Sequence, residues 1–146
     1  MIDEAIKKLV RITDEFPELL KSISEMKFSV KPAPNKWSKK EILGHLIDSA
    51  ANNHQRFIRV QFEHRPLIAY DQNSWVTYNH YNELTAKQLI RFWFVYNKHL
   101  IEIIKRIPEE NLERECKMKD GKFVTLDFLI NDYVVHLEHH LNALFD

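Results

Sequence analysis

Tyr133-Val-Val-His-Leu-Glu-His-His-Leu-Asn-Ala-Leu144 closes the chain with a helical period. Carried back to Thr125, the pattern puts Leu126, Leu129, Ile130, Tyr133, Val134, Leu137, Leu141 and Leu144 on one arc of about 140°. That is the apolar face of a helix packed in a bundle. His136 and His140 lie on the same side, near one edge of the arc. Residues four apart share a helix face, with about 5–6 Å between their Cβ atoms, so two imidazoles can reach one ion. His139 falls about 60° beyond His136 and reads as exposed or as an outer partner of the inward pair. Two inward histidines without an ion would each need a hydrogen-bond partner, because an unpaired buried polar group is costly. The pair therefore reads either as bonded core histidines or as part of a metal site.

Three more segments have the same period. The first runs from about Asp3 to Lys27, with Ile6, Leu9, Val10, Ile12, Phe16, Leu19, Leu20 and Ile23 as its stripe, and Pro17 is placed to kink or divide it. A proline-bearing linker, Val30-Lys-Pro-Ala-Pro-Asn35, follows. The second helix starts at a capping box, Ser38 with Glu41, and continues to about Glu63 before Pro66. The third begins at Thr85 with Gln88, read as another capping box, and ends near Arg106 before Pro108. Between the second and third lies an aromatic, polar loop from Ala69 to His80, expected to hold a short helical turn. Cys116 to Val124 alternates around Asp120-Gly121 and reads as a small hairpin or extended excursion before the last helix. The expectation is an all-α, four-helix bundle forming a single domain over residues 1–146.

Composition narrows function. Lys+Arg and Asp+Glu are both 21, so no basic surplus is available to neutralise phosphates, and nucleic acid is not expected as a partner. The opening Met1-Ile-Asp-Glu-Ala5 is acidic and amphipathic, unlike a secretory leader, and no apolar run approaches the ~18–20 residues of a membrane span. One cysteine, Cys116, suits a reducing cytoplasm and reads as structural. With two glycines, Gly44 and Gly121, the chain has no glycine-rich phosphate loop.

A third imidazole is available at His45. On the wheel of its helix the apolar arc holds Ile42, Leu43, Leu46, Ile47, Ala50, Phe57, Ile58 and Val60, and His45 sits beside it on a polar strip with Ser49, Asn52 and Arg56. Periodicity alone favours a solvated flank; the alternative is the lining of a pocket at the bundle mouth. Asp132 stands four residues before His136 but off the inward arc.

Asn35-Lys-Trp-Ser-Lys-Lys-Glu-Ile-Leu-Gly-His-Leu-Ile-Asp-Ser49, followed far downstream by His136-Leu-Glu-His-His140, resembles the DinB-like superfamily. Tyr70-Asp-Gln-Asn-Ser-Trp75 is similar to its branch of YfiT-type metal-dependent hydrolases. The resemblance spans nearly the whole chain. It implies an up-down-down-up bundle with a divalent ion, Zn or Ni foremost, on His45, His136 and His140. Ser49, Asn52, Asn53 and Arg56 of the second helix, with Asp71, Trp75 and Tyr78 of the loop, would then line a substrate pocket; Arg56 reads either as a holder of a carboxylate or as part of a surface ion pair or a dimer contact. Related proteins include thiol-dependent S-transferases and isomerases that use low-molecular-weight thiols, so hydrolysis and S-transfer to a small-molecule substrate are both implied. A homodimer is a further expectation. The competing expectation is a non-catalytic module that binds a metal or a small ligand, in keeping with the lack of an obvious acid or base beside the histidines.

Overall fold

The computed structural model describes residues 2–146; Met1, the first residue of the acidic opening, lies outside them. Six helices run in the order α1 (Asp3–Lys21), α2 (Glu25–Ser29), α3 (Lys39–Arg59), α4 (Gln72–Asn79), α5 (Ala86–Lys105) and α6 (Leu126–Ala143). Two short strands, β1 (Glu115–Lys117) and β2 (Phe123–Thr125), pair antiparallel between α5 and α6. The four long helices make the bundle. α1 and α3 each pack against both α5 and α6, so α1 and α3 lie across the diagonal from one another.

Side-chain contacts fix the directions. Asp14 meets Lys98 across α1 and α5, and the start of α1 shares a cleft with the end of α5 and the start of α6. α1 therefore runs parallel to α6 and antiparallel to α5. Lys39, at the start of α3, donates to the Leu144 carbonyl just past α6, while Gln61 and Asn111, beyond the ends of α3 and α5, bond to each other. The topology is up-down-down-up. A parallel pair such as α3 and α5 needs a long connection, and α4 rides in it.

Local chemistry explains most element boundaries. The Ser38–Glu41 capping box is complete: the Glu41 N–H donates to Ser38 Oγ and the Ser38 N–H to Glu41 Oε1. At Thr85 only half of the expected box forms, the Gln88 N–H donating to the threonine hydroxyl. α1 ends at Lys21, short of the expected Lys27, although Pro17 sits inside it without dividing it. The N–H groups of Ser22 and Ile23 turn back to the Leu19 and Leu20 carbonyls, and Ser24 then caps the separate α2 through the Lys27 N–H. α3 likewise stops at Arg59, with looser turns carrying the chain to Glu63. The expected single turn in the loop is the eight-residue α4, capped by Asp71. The hairpin closes over Gly121, whose φ of +87° suits glycine alone.

All eight residues read as the apolar arc of α6 are buried, and one hydrophobic core runs through the four long helices. The stripe of α1 departs at Leu19 and that of α3 at Ile58, 49% and 38% exposed. α3 is the most enclosed helix. Between Leu43 and Ala50 every residue is buried, polar ones included. The bundle covers its apolar arc, and α4 with the following turn covers the opposite side. Among the described residues no helix is long and apolar enough to cross a membrane.

Candidate metal centre

His45 comes from the second turn of α3, placed there by the Ser38 cap. His136 and His140 come from the last two turns of α6, which runs antiparallel to α3 and presents its C-terminal end to the same place. One ligand atom from each of the three rings lies within 4.8 Å of the others. His45 Nε2 and His136 Nε2 are 3.3 Å apart, close to the ~3.3–3.4 Å edge of a tetrahedral site whose nitrogens stand 2.0–2.1 Å from the ion. The His136 and His140 ring centres are 4.5 Å apart, and each is 5.2 Å from that of His45. His139 is exposed, as its wheel position requires.

The solvated-flank reading of His45 is overturned: the residue is 2% exposed. Trp37 covers its ring at 5.0 Å between centres, and burial, with the neighbouring His136 and His140, lowers its pKa to about 4. Burial also lowers the pKa values of His136 and His140. All three rings are thus biased to the neutral form, whose lone pairs a cation requires. Among the described residues no carboxylate joins the group. Glu138, beside His136 in sequence, turns away to Lys8 and Arg11 of α1. Asp132 acts on His136 only as a minor charge that raises its pKa. Three neutral nitrogen donors suit a borderline divalent ion such as Zn, Ni, Cu or Fe(II) better than an oxygen-seeking Mg or Ca.

The remaining expected site residues divide by depth. Ser49, Asn52 and Asn53 are buried along α3. Asn52 donates to the Asp48 carbonyl, and Asn53 to the Ser49 carbonyl and hydroxyl. The Arg56 guanidinium donates to Asn53 Oδ1 and to the Ile68 carbonyl, so its fork is already engaged by protein. Asp71 spends its carboxylate on the N–H groups of Asn73 and Ser74. Trp75 is half-buried, its ring against Tyr70, and Tyr78 is exposed. A cleft of about 480 Å³ opens beside His140, and Asn35, Lys36, Trp37, Ile42 and Asn73 stand in its wall.

Asp48 escaped the sequence reading. It is 1% exposed, has no cation partner among the described residues, and takes hydrogen bonds on Oδ1 from the Tyr81 hydroxyl (2.5 Å) and the Asn79 amide (3.2 Å). Burial raises its pKa to about 6, against the opposing pull of the tyrosine bond. Tyr81 reaches it only because residue 44 is glycine: a Cβ there would stand 2.1 Å from Tyr81 Cδ2. His80, at φ +53°, turns the chain out of α4 into the 3-10 turn that carries Tyr81. A glycine in mid-helix was the available signal, since it costs about 1 kcal/mol against alanine and so marks a close approach.

A four-helix bundle that gathers three imidazoles at one end, in a site suited to a divalent cation, is the class these observations define. The profile of the DinB superfamily matches residues 8–144, and the chain belongs to that superfamily. A Halalkalibacterium halodurans protein named "Putative metal-dependent hydrolase" is 22% identical over 137 residues, spanning 93% of this chain and 80% of its own. One of the same name from Oceanobacillus iheyensis is 23% identical over 141 residues, spanning 96% of this chain and 81% of its own. Among solved structures, YfiT from Bacillus subtilis, described as having an unusual four-helix bundle topology, superposes with a TM-score of 0.83 at 19% identity, covering 99% of this chain and 86% of its own. The mycothiol-dependent maleylpyruvate isomerase superposes at 0.80 with 12% identity, 99% of this chain matching 60% of that one.

Proposed function

We propose that the protein is a metal-dependent enzyme in which His45, His136 and His140 hold a divalent ion, zinc or nickel, with positions left for a water or a low-molecular-weight thiol. The observation that carries this reading is the approach of the buried His45 Nε2 to the half-buried His136 Nε2 at 3.3 Å, with His140 completing the triangle. Its support is chemical. Three neutral rings packed edge to face lose solvation without gaining a carboxylate or a carbonyl, and a cation compensates all three at once. His45 Nδ1, buried and without a protein partner among the described residues, is consistent with a ring held from its other nitrogen.

Such an ion, when bound, supplies Lewis acidity that activates water for hydrolysis or a thiol for S-transfer. The chain's own part is positional. Trp37 screens the His45 face, α6 fixes the spacing of His136 and His140, and the cleft beside His140 admits a small molecule. The names of the relatives favour a hydrolase; the mycothiol-dependent neighbour supports thiol chemistry on the same fold.

The test uses untagged protein. Elemental analysis should return one divalent ion per chain. The loaded protein is then mixed with monochlorobimane and a thiol, and separately with an ester panel. Turnover above that of the free ion, lost in His45→Ala, is the expected result. Stoichiometric metal with no turnover on either panel would assign a binding module instead, and no stoichiometric metal would remove the reading altogether.

A further inference from the structure

The cleft beside His140 has an uneven charge inventory. Four lysines lie in the linker and the first turn of α3. Lys31 pairs with Glu41, Lys39 donates to the Leu144 carbonyl, and Lys40 pairs with Glu25. Lys36 alone has no such partner among the described residues, and Lys36 is the one that lines the cleft. No carboxylate stands in the cleft wall. The nearby acids are occupied, Glu41 by Lys31 and the Ser38 N–H, and Asp71 by the N–H groups of α4. Asn35 and Asn73 also line the cleft, and their side-chain amides make no protein bond among the described residues. Trp37 and Ile42 give it an apolar wall on the way to His140.

We propose that this cleft selects small ligands ending in a carboxylate, with Lys36 as the specificity-determining residue. The inference rests on the metal-centre reading of the previous section, since the donor end of the ligand would face the ion held by the histidines. An exposed lysine with no side-chain partner, in a wall without acids among the described residues, makes the cleft attractive to anions. One cation flanked by two neutral amide donors matches a single negative charge shared between two oxygens. A phosphate dianion would call for more cations or a row of backbone N–H groups. The apolar wall leaves room for a short carbon skeleton between donor and charge.

The test compares three thiols of one skeleton on cobalt-loaded, full-length protein: 3-mercaptopropionate, 3-mercaptopropanol and 3-aminopropanethiol. Affinity is read from the sulfur-to-cobalt charge-transfer absorption. Comparing each ratio between wild type and variant cancels differences in intrinsic thiol acidity. The carboxylate should bind about five- to tenfold tighter than the alcohol, a scale set by a partly exposed ion pair with amide support. Lys36→Gln should remove most of that advantage, and Lys36→Glu should move the preference to the amine, with helical content unchanged because Lys36 is exposed. Cobalt uptake with a ratio that Lys36→Gln leaves untouched, or with no thiol binding, overturns this inference alone. Failure to take up cobalt overturns the metal-centre reading and the inference with it.

Discussion

α3 carries two histidine clusters that differ in everything except ring distance. Near its start, His45 meets His136 and His140 at 5.2 Å between ring centres. Near its end, His54 meets His99 of α5 at 5.5 Å, also edge to face. The second cluster is half-exposed, and His54 Nδ1 lies 2.9 Å from the Tyr96 hydroxyl, so it has both water and a protein partner. In the first, His136 and His140 are half-buried too, but His45 is buried and its Nε2 finds only the imidazole of His136. Proximity of rings is therefore not the mark of a site. The mark is proximity of three rings together with burial of the one on α3, whose nitrogens find no other group among the described residues.

The sharpest way to break the contrast is substitution. His45→Ala should weaken divalent-metal binding at least about a hundredfold, the loss already reached when outer partners of a metal ligand are removed. His54→Ala should leave the stoichiometry at one ion per chain. Isothermal titration of both variants with zinc checks this, and equal losses would erase the distinction.

A second test strikes the support beneath the first cluster. In Gly44→Ala the new Cβ meets the Tyr81 ring at 2.1 to 2.5 Å. The helix gains about 1 kcal/mol in propensity, but overpacking costs up to about 3 kcal/mol, so a net loss near 2 kcal/mol is expected from urea unfolding. The same seat gives a pH effect. The folded pKa of Asp48 is raised from the usual carboxylate range to about 6. The stabilisation from keeping it neutral is complete below its unfolded pKa of about 4 and disappears as pH rises through 6. Asp48→Asn, which cannot ionise, should therefore gain on wild type between pH 4 and pH 7.5 by on the order of 1–2 kcal/mol. The melting-temperature difference at the two pH values measures it, and a pH-independent difference would count against a buried acid. The smallest effect belongs to the second cluster. Tyr96→Phe should cost under about 1 kcal/mol, because half-exposed His54 can turn to water.

The sequence displayed what periodicity can encode. The eight-residue arc of α6, the inward pair His136 and His140, the outward His139 and the Ser38–Glu41 cap were all readable, because each depends on residues within a few turns of one another. His45 could be promoted from a solvated flank only by its motif, since its burial depends on α4 and Trp37 covering a face that the four-helix pattern leaves open. Asp48 was hidden for the same reason: its partners Tyr81 and Asn79 arrive from more than thirty positions away. Arg56 was legible only as a cation on the right strip: that the Ile68 carbonyl, contributed by an irregular connection, takes one arm of its fork depends on a segment with no periodic signal.

The distance along the chain between His45 and His136 has a consequence for assembly. Their rings meet across 91 positions, and the second partner sits on α6, downstream of the other three long helices. A cation gripping both ends ties a loop of that length, and by analogy with a covalent cross-link this restricts the unfolded chain by about 4–5 kcal/mol. Nascent chains without α6 have only one of the three imidazoles, so the proposed ion could be captured only after α6 is made.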